Sequence, residues 1–136
     1  MLADASEQPL TADEVAFEAR AKADGERIDR FRQSLSPGDD PAGPANPEHG
    51  LAREYFAVYL ATRPSRLASR ALGLAFRMWG HLKGSSAQVR AVVAQIPCDE
   101  DVWGDQAVDG ALGAFWEDHG FAAALTELEQ LLTPVQ

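Results

Sequence analysis

The sequence predicts an all-α protein of about six helices. Apolar residues recur at helical spacings and never alternate strictly over the length of a strand. Ala, Leu, Glu and Arg, which favour helix, are abundant. Capping residues, glycines and prolines divide the chain into segments of helical length. Most predicted connections are short, so we expect consecutive helices to be antiparallel neighbours.

An acidic amphipathic helix is predicted in the N-terminal region, residues 1–35. Thr11 and Glu14 have the spacing of a capping box, in which a hydroxyl and a carboxylate satisfy amides at the start of a helix. The following apolar residues form one stripe between charged faces, so only this stripe can dock. The stripe consists of Phe17, Ala21, Ile28, Phe31 and Leu35. Four prolines and two glycines in residues 36–47 predict a linker.

Five further helices are predicted in a repeat-like domain over residues 48–136. Asn46 and Pro47 have the form of a cap and first-turn pair for the first of these helices. Later prolines and glycines end the helices, because proline lacks an amide donor and glycine readily adopts the left-handed cap conformation. The predicted bounds are 48–62, 65–81, 85–96, 99–118 and 121–132.

The domain contains an internal recurrence with a period of 40 residues. The pattern Ala-Leu-Gly, followed by an aromatic residue and then a second glycine, begins at Ala71 and again at Ala111. Three similar apolar helices each end before a proline, at Pro64, Pro97 and Pro134. A single helix pair of this size cannot bury its own apolar face, so such pairs are expected to stack.

These residues resemble the tetratricopeptide repeat, a helix–turn–helix unit of about 34 residues. Two segments match the first-helix pattern Leu-Gly-x2-Tyr with another aromatic residue in place of tyrosine. One segment matches the second-helix pattern Ala-x3-Phe. The matching positions are Leu72, Gly73, Phe76, Leu112, Gly113, Trp116, Ala52 and Phe56, with Gly80 and Gly120 at the turns. Ser69 and Asp109 stand where the family places a tryptophan.

The resemblance implies a short right-handed solenoid of stacked antiparallel hairpins. Residues 65–97 and 99–134 are then two units, and residues 48–64 form a half-unit that the first helix completes by folding back. Gly73 and Gly113 are equivalent in this arrangement and let a neighbouring helix approach closely. An irregular helical bundle is the alternative, because bundles and solenoids obey the same local sequence rules.

The predicted third helix carries the candidate partner-binding residues. Three of its arginines fall within about 40° of one another on the helix. Because arginine binds carboxylates with two parallel hydrogen bonds, they favour an acidic peptide or protein partner. The resemblance implies that the first helix of each pair lines a groove for the partner, with Ala114, Glu117 and Asp118 opposite. The predicted partner-binding residues are Arg66, Arg70, Leu74, Arg77 and Met78. Alternatively, these arginines pair with the protein's own acids, such as Arg77 with Glu117.

The net charge of −9 disfavours a nucleic acid or an anionic membrane as partner. Residues 51–97 carry a net charge of +6, between segments 1–50 and 98–136 of −6 and −9. A second copy of the chain is therefore a further partner, since opposite end charges attract at low salt.

No catalytic motif, metal-ligand spacing or cofactor-binding loop is recognised, so we predict no catalytic residue, no metal and no cofactor. The single cysteine, Cys98, excludes an internal disulfide, and we expect a cytoplasmic protein. The function predicted is that of a non-catalytic adaptor that binds a protein or acidic peptide. The alternatives are a small helical ligand-binding protein or enzyme that uses a histidine, Glu117 or Asp118, and a salt-sensitive self-assembling unit.

Overall fold

A computed structural model describes residues 9–82, 86–119 and 121–132 of the chain. These residues form six helices and no strand, so the all-α prediction is confirmed. The helices are α1 (Ala12–Gln33), α2 (Glu48–Thr62), α3 (Arg66–Gly80), α4 (Ser86–Gln95), α5 (Asp105–His119) and α6 (Phe121–Leu132). Ser85, at which the sequence predicts the fourth helix to begin, lies outside the described residues.

The starts of α1 and α2 follow from local capping chemistry. The hydroxyl of Thr11 accepts a hydrogen bond from the amide of Glu14 at 3.2 Å, and the Glu14 carboxylate accepts one from the amide of Thr11 at 3.1 Å. The predicted capping box is therefore confirmed. At α2, the side-chain oxygen of Asn46 accepts a hydrogen bond from the amide of Glu48 at 2.8 Å. Each cap satisfies an amide that has no partner within its helix.

The segment between α1 and α2 contains turns and no helix, as its prolines predict. It is nevertheless tied to the start of α2. The side-chain amide of Asn46 donates to the carbonyl of Pro41 at 2.8 Å, and Nε2 of His49 lies 3.1 Å from the carbonyls of Ala42 and Gly43. These contacts hold the end of the segment against α2.

Helix α3 lies at the centre of the fold and packs most extensively against α2 and α5. Its sequence places small and large apolar residues on all but one of its faces. Aromatic rings join it to α2, since the Phe56 and Trp79 ring centroids are 5.8 Å apart. The residues that α3 buries are Ala68, Ala71, Leu72, Gly73, Ala75, Phe76, Met78 and Trp79. The arginines of α3 lie outside this buried set: Arg66 and Arg70 are half-buried, and Arg77 is exposed.

The crossing of α3 and α5 depends on two glycines. A Cβ added to Gly73 would lie 2.8 Å from the carbonyl oxygen of Gln106, and one added to Gly110 would lie 2.7 Å from the carbonyl oxygen of Gly73. At Gly113, by contrast, an added Cβ meets nothing within 4 Å. The expectation that Gly73 and Gly113 have equivalent surroundings is therefore wrong. The glycine that faces Gly73 is Gly110.

The predicted start of the fifth helix at residue 99 is wrong, because α5 begins at Asp105. Residues 97–104 form turns instead. Val102 is buried in the core, and the ring of Trp103 stacks on Phe76 at a centroid distance of 6.2 Å. Burial of these two side chains outweighs the helix-favouring acids of the segment, since local propensity is a weak prior against packing.

Glu100, which lies within the predicted fifth helix, contacts the end of α2 instead. The hydroxyl of Tyr59 donates to its carboxylate, and the guanidinium of Arg63 pairs with the same group. Burial, together with the hydrogen bond to Glu100, raises the pKa of the Tyr59 hydroxyl. These contacts connect the turn before α5 to the end of α2.

Helix α1 docks on α2 and α3 through few buried residues. Only Glu14, Phe17 and Ile28 of its 22 residues are buried. The Phe17 ring packs on Tyr55 of α2 with centroids 5.4 Å apart. The other predicted stripe residues, Ala21, Phe31 and Leu35, are half-buried. The stripe is confirmed in part, because Phe17 and Ile28 are buried and its other three residues are half-buried.

Candidate functional site

The arginine face of α3 is covered by α1. Nε of Arg66 lies 2.5 Å from one carboxylate oxygen of Glu14, and its Nη2 lies 2.8 Å from the other. Nε and Nη2 of Arg70 contact the two oxygens of Glu18 at 2.8 and 3.3 Å. Both pairs are two-point contacts between a planar guanidinium and a carboxylate, the geometry in which arginine binds acids best. The acids that bind Arg66 and Arg70 therefore belong to the chain itself.

Beside these pairs runs an open groove of about 550 Å³ between α1, α3 and α5. Gln106 of α5 borders it, and its side-chain oxygen accepts a hydrogen bond from Nη1 of Arg70 at 3.1 Å. Because each arginine of this groove already binds a carboxylate, its walls carry little net charge. The groove is therefore a weak candidate for binding an anion.

The contact with Arg66 lowers the pKa of Glu14 to about 2, because the guanidinium and the amide of Thr11 both donate to the carboxylate. We expect the Glu14 carboxylate of the wild-type chain to titrate near pH 2. In an Arg66→Met variant its pKa should rise towards the ordinary value of 4.5. Side-chain carboxyl NMR over a pH series measures both values, and an unchanged pKa in the variant would contradict the pairing.

On the other side of the α1–α3 contact lies a narrower cleft of about 240 Å³. Three of the predicted partner-binding residues line it: Leu74 and Met78 form an apolar wall, and Arg77 is exposed at its edge. Among the residues that the structure describes, Arg77 has no ion-pair partner. The remaining lining residues are Ala21, Gly25, Ile28, Asp29, Arg32, Glu48, Tyr55 and His81.

The cleft is lined in part by a buried carboxylate. Glu48 is 1% exposed, and its oxygens lie 2.7 Å from Nδ1 of His81, 3.1 Å from the side-chain amide of Asn46 and 3.3 Å from Nη2 of Arg32. A carboxylate only accepts hydrogen bonds, so Nδ1 of His81 carries the proton. Arg32 Nη2 also lies 3.1 Å from this nitrogen, but a protonated Nδ1 cannot accept from it. We therefore assign the Arg32 hydrogen bond to Glu48.

These partners determine the charge of Glu48. Burial by itself raises the pKa of a carboxylate, because it disfavours the ionised form. The hydrogen bonds from His81 and Asn46 and the positive charges of His81 and Arg32 outweigh it, so the pKa of Glu48 lies below its ordinary value. Glu48 is thus an ionised group whose charge is compensated inside the protein.

Tyr55 contributes a ring to the cleft, and its hydroxyl donates to Asp24 of α1 at 2.6 Å. Burial and this hydrogen bond raise the pKa of the Tyr55 hydroxyl. Within the described part of the chain, no buried side-chain nitrogen or oxygen lacks a hydrogen-bond partner. The cleft therefore offers a ligand an apolar wall, the guanidinium of Arg77, the exposed side chains of Asp29 and Arg32, and the exposed edge of His81.

The structure divides the five predicted partner-binding residues between two places. Arg66 and Arg70 bind α1, which agrees with the alternative that these arginines pair with the protein's own acids. Leu74, Arg77 and Met78 lie together at the cleft. The side chains of Glu117 and Asp118, predicted to face them, lie outside the described residues.

Sequence reasoning missed Glu48 and Asp29 as cleft residues. His81 was expected at the end of a helix, and it is the C-cap of α3. Its contact with Glu48 joins positions 33 residues apart, and no local pattern marks such a pair. An acid in the first turn of a helix, such as Glu48, is ordinary and gives no functional signal.

Within residues 9–82, 86–119 and 121–132, no three His, Cys, Asp or Glu side chains come together as metal ligands. No helix in this part of the chain has both the length and the apolar character needed to cross a membrane. Comparisons of the chain with models of protein families, with curated proteins and with solved structures find no match. The resemblance to tetratricopeptide repeats therefore rests on the residues of the sequence.

Proposed function

We propose that this chain is a non-catalytic helical module that holds an acidic peptide segment in the cleft between α1 and α3. The observation that carries the proposal is the position of Arg77. Arg66 and Arg70 each bind a carboxylate of α1, whereas Arg77 lacks an ion-pair partner among the described residues. An exposed guanidinium beside the apolar side chains of Leu74 and Met78 suits a carboxylate followed by an apolar group.

The packing order of the helices supports an adaptor of the tetratricopeptide type. From α2 to α6, consecutive helices contact one another, and in addition α3 packs on α5 and α4 packs on α6, an order that stacked hairpins share. The different surroundings of Gly73 and Gly113 count against exact repetition of the two units, so the support for stacking is the packing order of the helices.

The size of the cleft limits the ligand. A volume of about 240 Å³ is below the roughly 300–1,000 Å³ of ordinary small-molecule sites. It holds one or two residues rather than a longer segment. We therefore propose that a terminal or side-chain carboxylate contacts Arg77 and that a neighbouring apolar side chain contacts Met78.

Methyl NMR of methionine provides a direct test, because the chain has only two methionines, Met1 and Met78. The probe is a panel of hexapeptides that end in an acidic and an apolar residue. We expect the Met78 methyl signal to shift on titration. Arg77→Glu should weaken binding by about tenfold or more, because a charge-assisted contact is worth roughly 1.5–3 kcal/mol. Asp29→Asn should tighten it by about twofold, since Asp29 repels an acidic ligand.

Arg53→Glu is the matched control, because Arg53 is exposed on α2 outside the cleft lining and the substitution makes the same charge change. It should leave the affinity within about twofold of the wild-type value at moderate salt. A Met78 signal that does not shift with any peptide would reject the cleft as the site. Equal losses of peptide affinity in the Arg77→Glu and Arg53→Glu variants would show that affinity depends on net charge rather than on the position of Arg77.

A further inference from the structure

We propose that the face of α2 and α3 under α1 is a recognition surface for an acidic amphipathic helix of a partner protein. In this proposal, the first half of α1 is an exchangeable occupant of that surface. The inference goes beyond the proposed cleft, because its contacts are with Arg66, Arg70 and Tyr55 rather than with Arg77.

The contacts of α1 define the pattern that the surface recognises. Glu14 and Glu18 are four residues apart on α1, and they meet Arg66 and Arg70, which are four residues apart on α3. Both pairs therefore form in one register, because residues at this spacing share a helix face.

Between the two pairs, the side chain of Phe17 supplies the apolar anchor. It is 6% exposed and packs on the ring of Tyr55. A helix with the pattern Glu-x2-Phe-Glu reproduces all three contacts within two turns. The chemistry of the surface thus selects an acidic helix with one aromatic residue between its acids.

The first half of α1 is held in a way that permits exchange. Helix α1 buries three of its 22 residues, whereas α3 buries eight of its 15. The Arg70–Glu18 pair is 31% and 40% exposed, and the Arg20–Glu54 pair is 40% and 59% exposed. These two exposed pairs contribute little to stability and weaken with salt, so the Arg66–Glu14 pair, at 35% and 11% exposure, and Phe17 are the main attachments of this half.

The second half of α1 is held separately from the first. Its buried residue is Ile28, and the Arg32–Glu48 pair lies near its C-terminal end. The contacts of α3 with α2 and α5 do not involve α1. Release of the first half of α1 therefore leaves the central packing intact.

Competition between the first half of the chain's own α1 and an added peptide of the same sequence tests this proposal on the full chain. The probe is a fluorescein-labelled peptide with the sequence of residues 9–22, which covers only the exchangeable first half of α1, and its binding is followed by fluorescence anisotropy at low salt. We expect a Glu14→Gln/Glu18→Gln chain to bind this peptide at least tenfold more tightly than the wild-type chain does. The weakened resident helix then competes less well with the intact peptide.

Charge reversal provides the specificity test. Arg66→Glu/Arg70→Glu should abolish binding of the peptide, and a peptide with Glu14→Arg and Glu18→Arg should restore binding to that variant chain. Arg77→Glu should change peptide affinity by less than about twofold, which separates this surface from the cleft. Circular dichroism establishes that each variant is folded, and hydrogen exchange measures the protection of α1 directly.

Two results would overturn the proposal. If the folded Glu14→Gln/Glu18→Gln chain bound the peptide no better than the wild-type chain did, α1 would be a fixed part of the fold. If the wild-type chain alone sedimented as a dimer that Arg70→Glu dissociates, the occupant of the surface would be a second copy of the chain rather than a partner protein.

Discussion

Replacing Gly110 with alanine is expected to destabilise the protein by about 1–3 kcal/mol, the range for overpacking in a well-packed interior. The added Cβ would lie 2.7 Å from the carbonyl oxygen of Gly73 and 2.8 Å from Cβ of Phe76. Neither atom can rotate away, because one belongs to the backbone and the other is fixed to it. Helices α3 and α5 would have to move apart, and their contact would lose packing.

Gly113→Ala is the matched control for this substitution, since both glycines lie in α5. Gly113 is exposed and has open space where its Cβ would lie. Alanine favours helix over glycine by about 1 kcal/mol, so Gly113→Ala should stabilise the protein by about 0.5–1 kcal/mol. The same substitution is thus expected to change stability in opposite directions at two positions three residues apart.

Chemical denaturation of the two variants measures these free energies. A Gly110→Ala protein as stable as the Gly113→Ala protein would contradict the close approach of α3 and α5. It would also remove the structural reason for a glycine opposite Gly73. Comparable destabilisation by Gly73→Ala is expected, because its Cβ would lie 2.8 Å from the carbonyl oxygen of Gln106.

Removing the carboxylate of Glu48 is expected to cost about 2–3 kcal/mol at pH 7. Loss of one partner from a buried ion pair costs roughly 3–5 kcal/mol when the remaining charge stays buried. His81 and Arg32 are 42% and 47% exposed, so water can solvate them and the cost of Glu48→Ala is smaller. Glu54→Ala is the control, because Glu54 is 59% exposed and its 3.4 Å pair with Arg20 should contribute under about 1 kcal/mol.

The contribution of Glu48 should also depend on pH. Its pKa in the folded protein is below the ordinary value of 4.5, so the unfolded chain binds more protons at acidic pH. The stabilisation is therefore fully present above about pH 5 and is lost as the pH falls below 4.5 towards the lower folded pKa. Glu48→Gln lacks this titration, and the difference in stability between wild type and variant should shrink as the pH falls.

Denaturation of both proteins between pH 7 and pH 3 measures that difference. Glu14, whose pKa is also lowered, is present in both proteins and cancels in the comparison. A difference that stayed constant over the whole range would show that ionised Glu48 does not stabilise the fold.

The sequence predicts the bounds of a helix most accurately where local signals mark both its start and its end. Asn46 and Pro47 before α2, and Pro64 after it, place its bounds at Glu48 and Thr62. The predicted start of α5 was wrong by six residues. The acids at 99–101 are compatible both with the first turn of a helix and with a turn outside a helix. Their side chains do not specify that Glu100 binds Tyr59 and Arg63 of another helix.

The sequence predicted the types of residue at the candidate site better than it predicted which residues contact one another there. Helical spacing alone grouped the arginines of α3 on one face. It left open whether Arg66 and Arg70 bind a partner or acids of the same chain. The distance along the sequence from Glu14 to Arg66 is 52 residues, so only the docking of α1 determines their partners.

The amino-acid sequence by itself determined that this protein is helical, where most of its helices end and which face of α3 carries its arginines. These properties depend on caps, prolines and residue spacing within one turn or two of a helix. Tertiary structure alone decided that α1 covers Arg66 and Arg70, that Gly110 faces Gly73 and that Glu48 is buried against His81. Each of these contacts joins residues far apart in the chain, whose proximity depends on how whole helices pack.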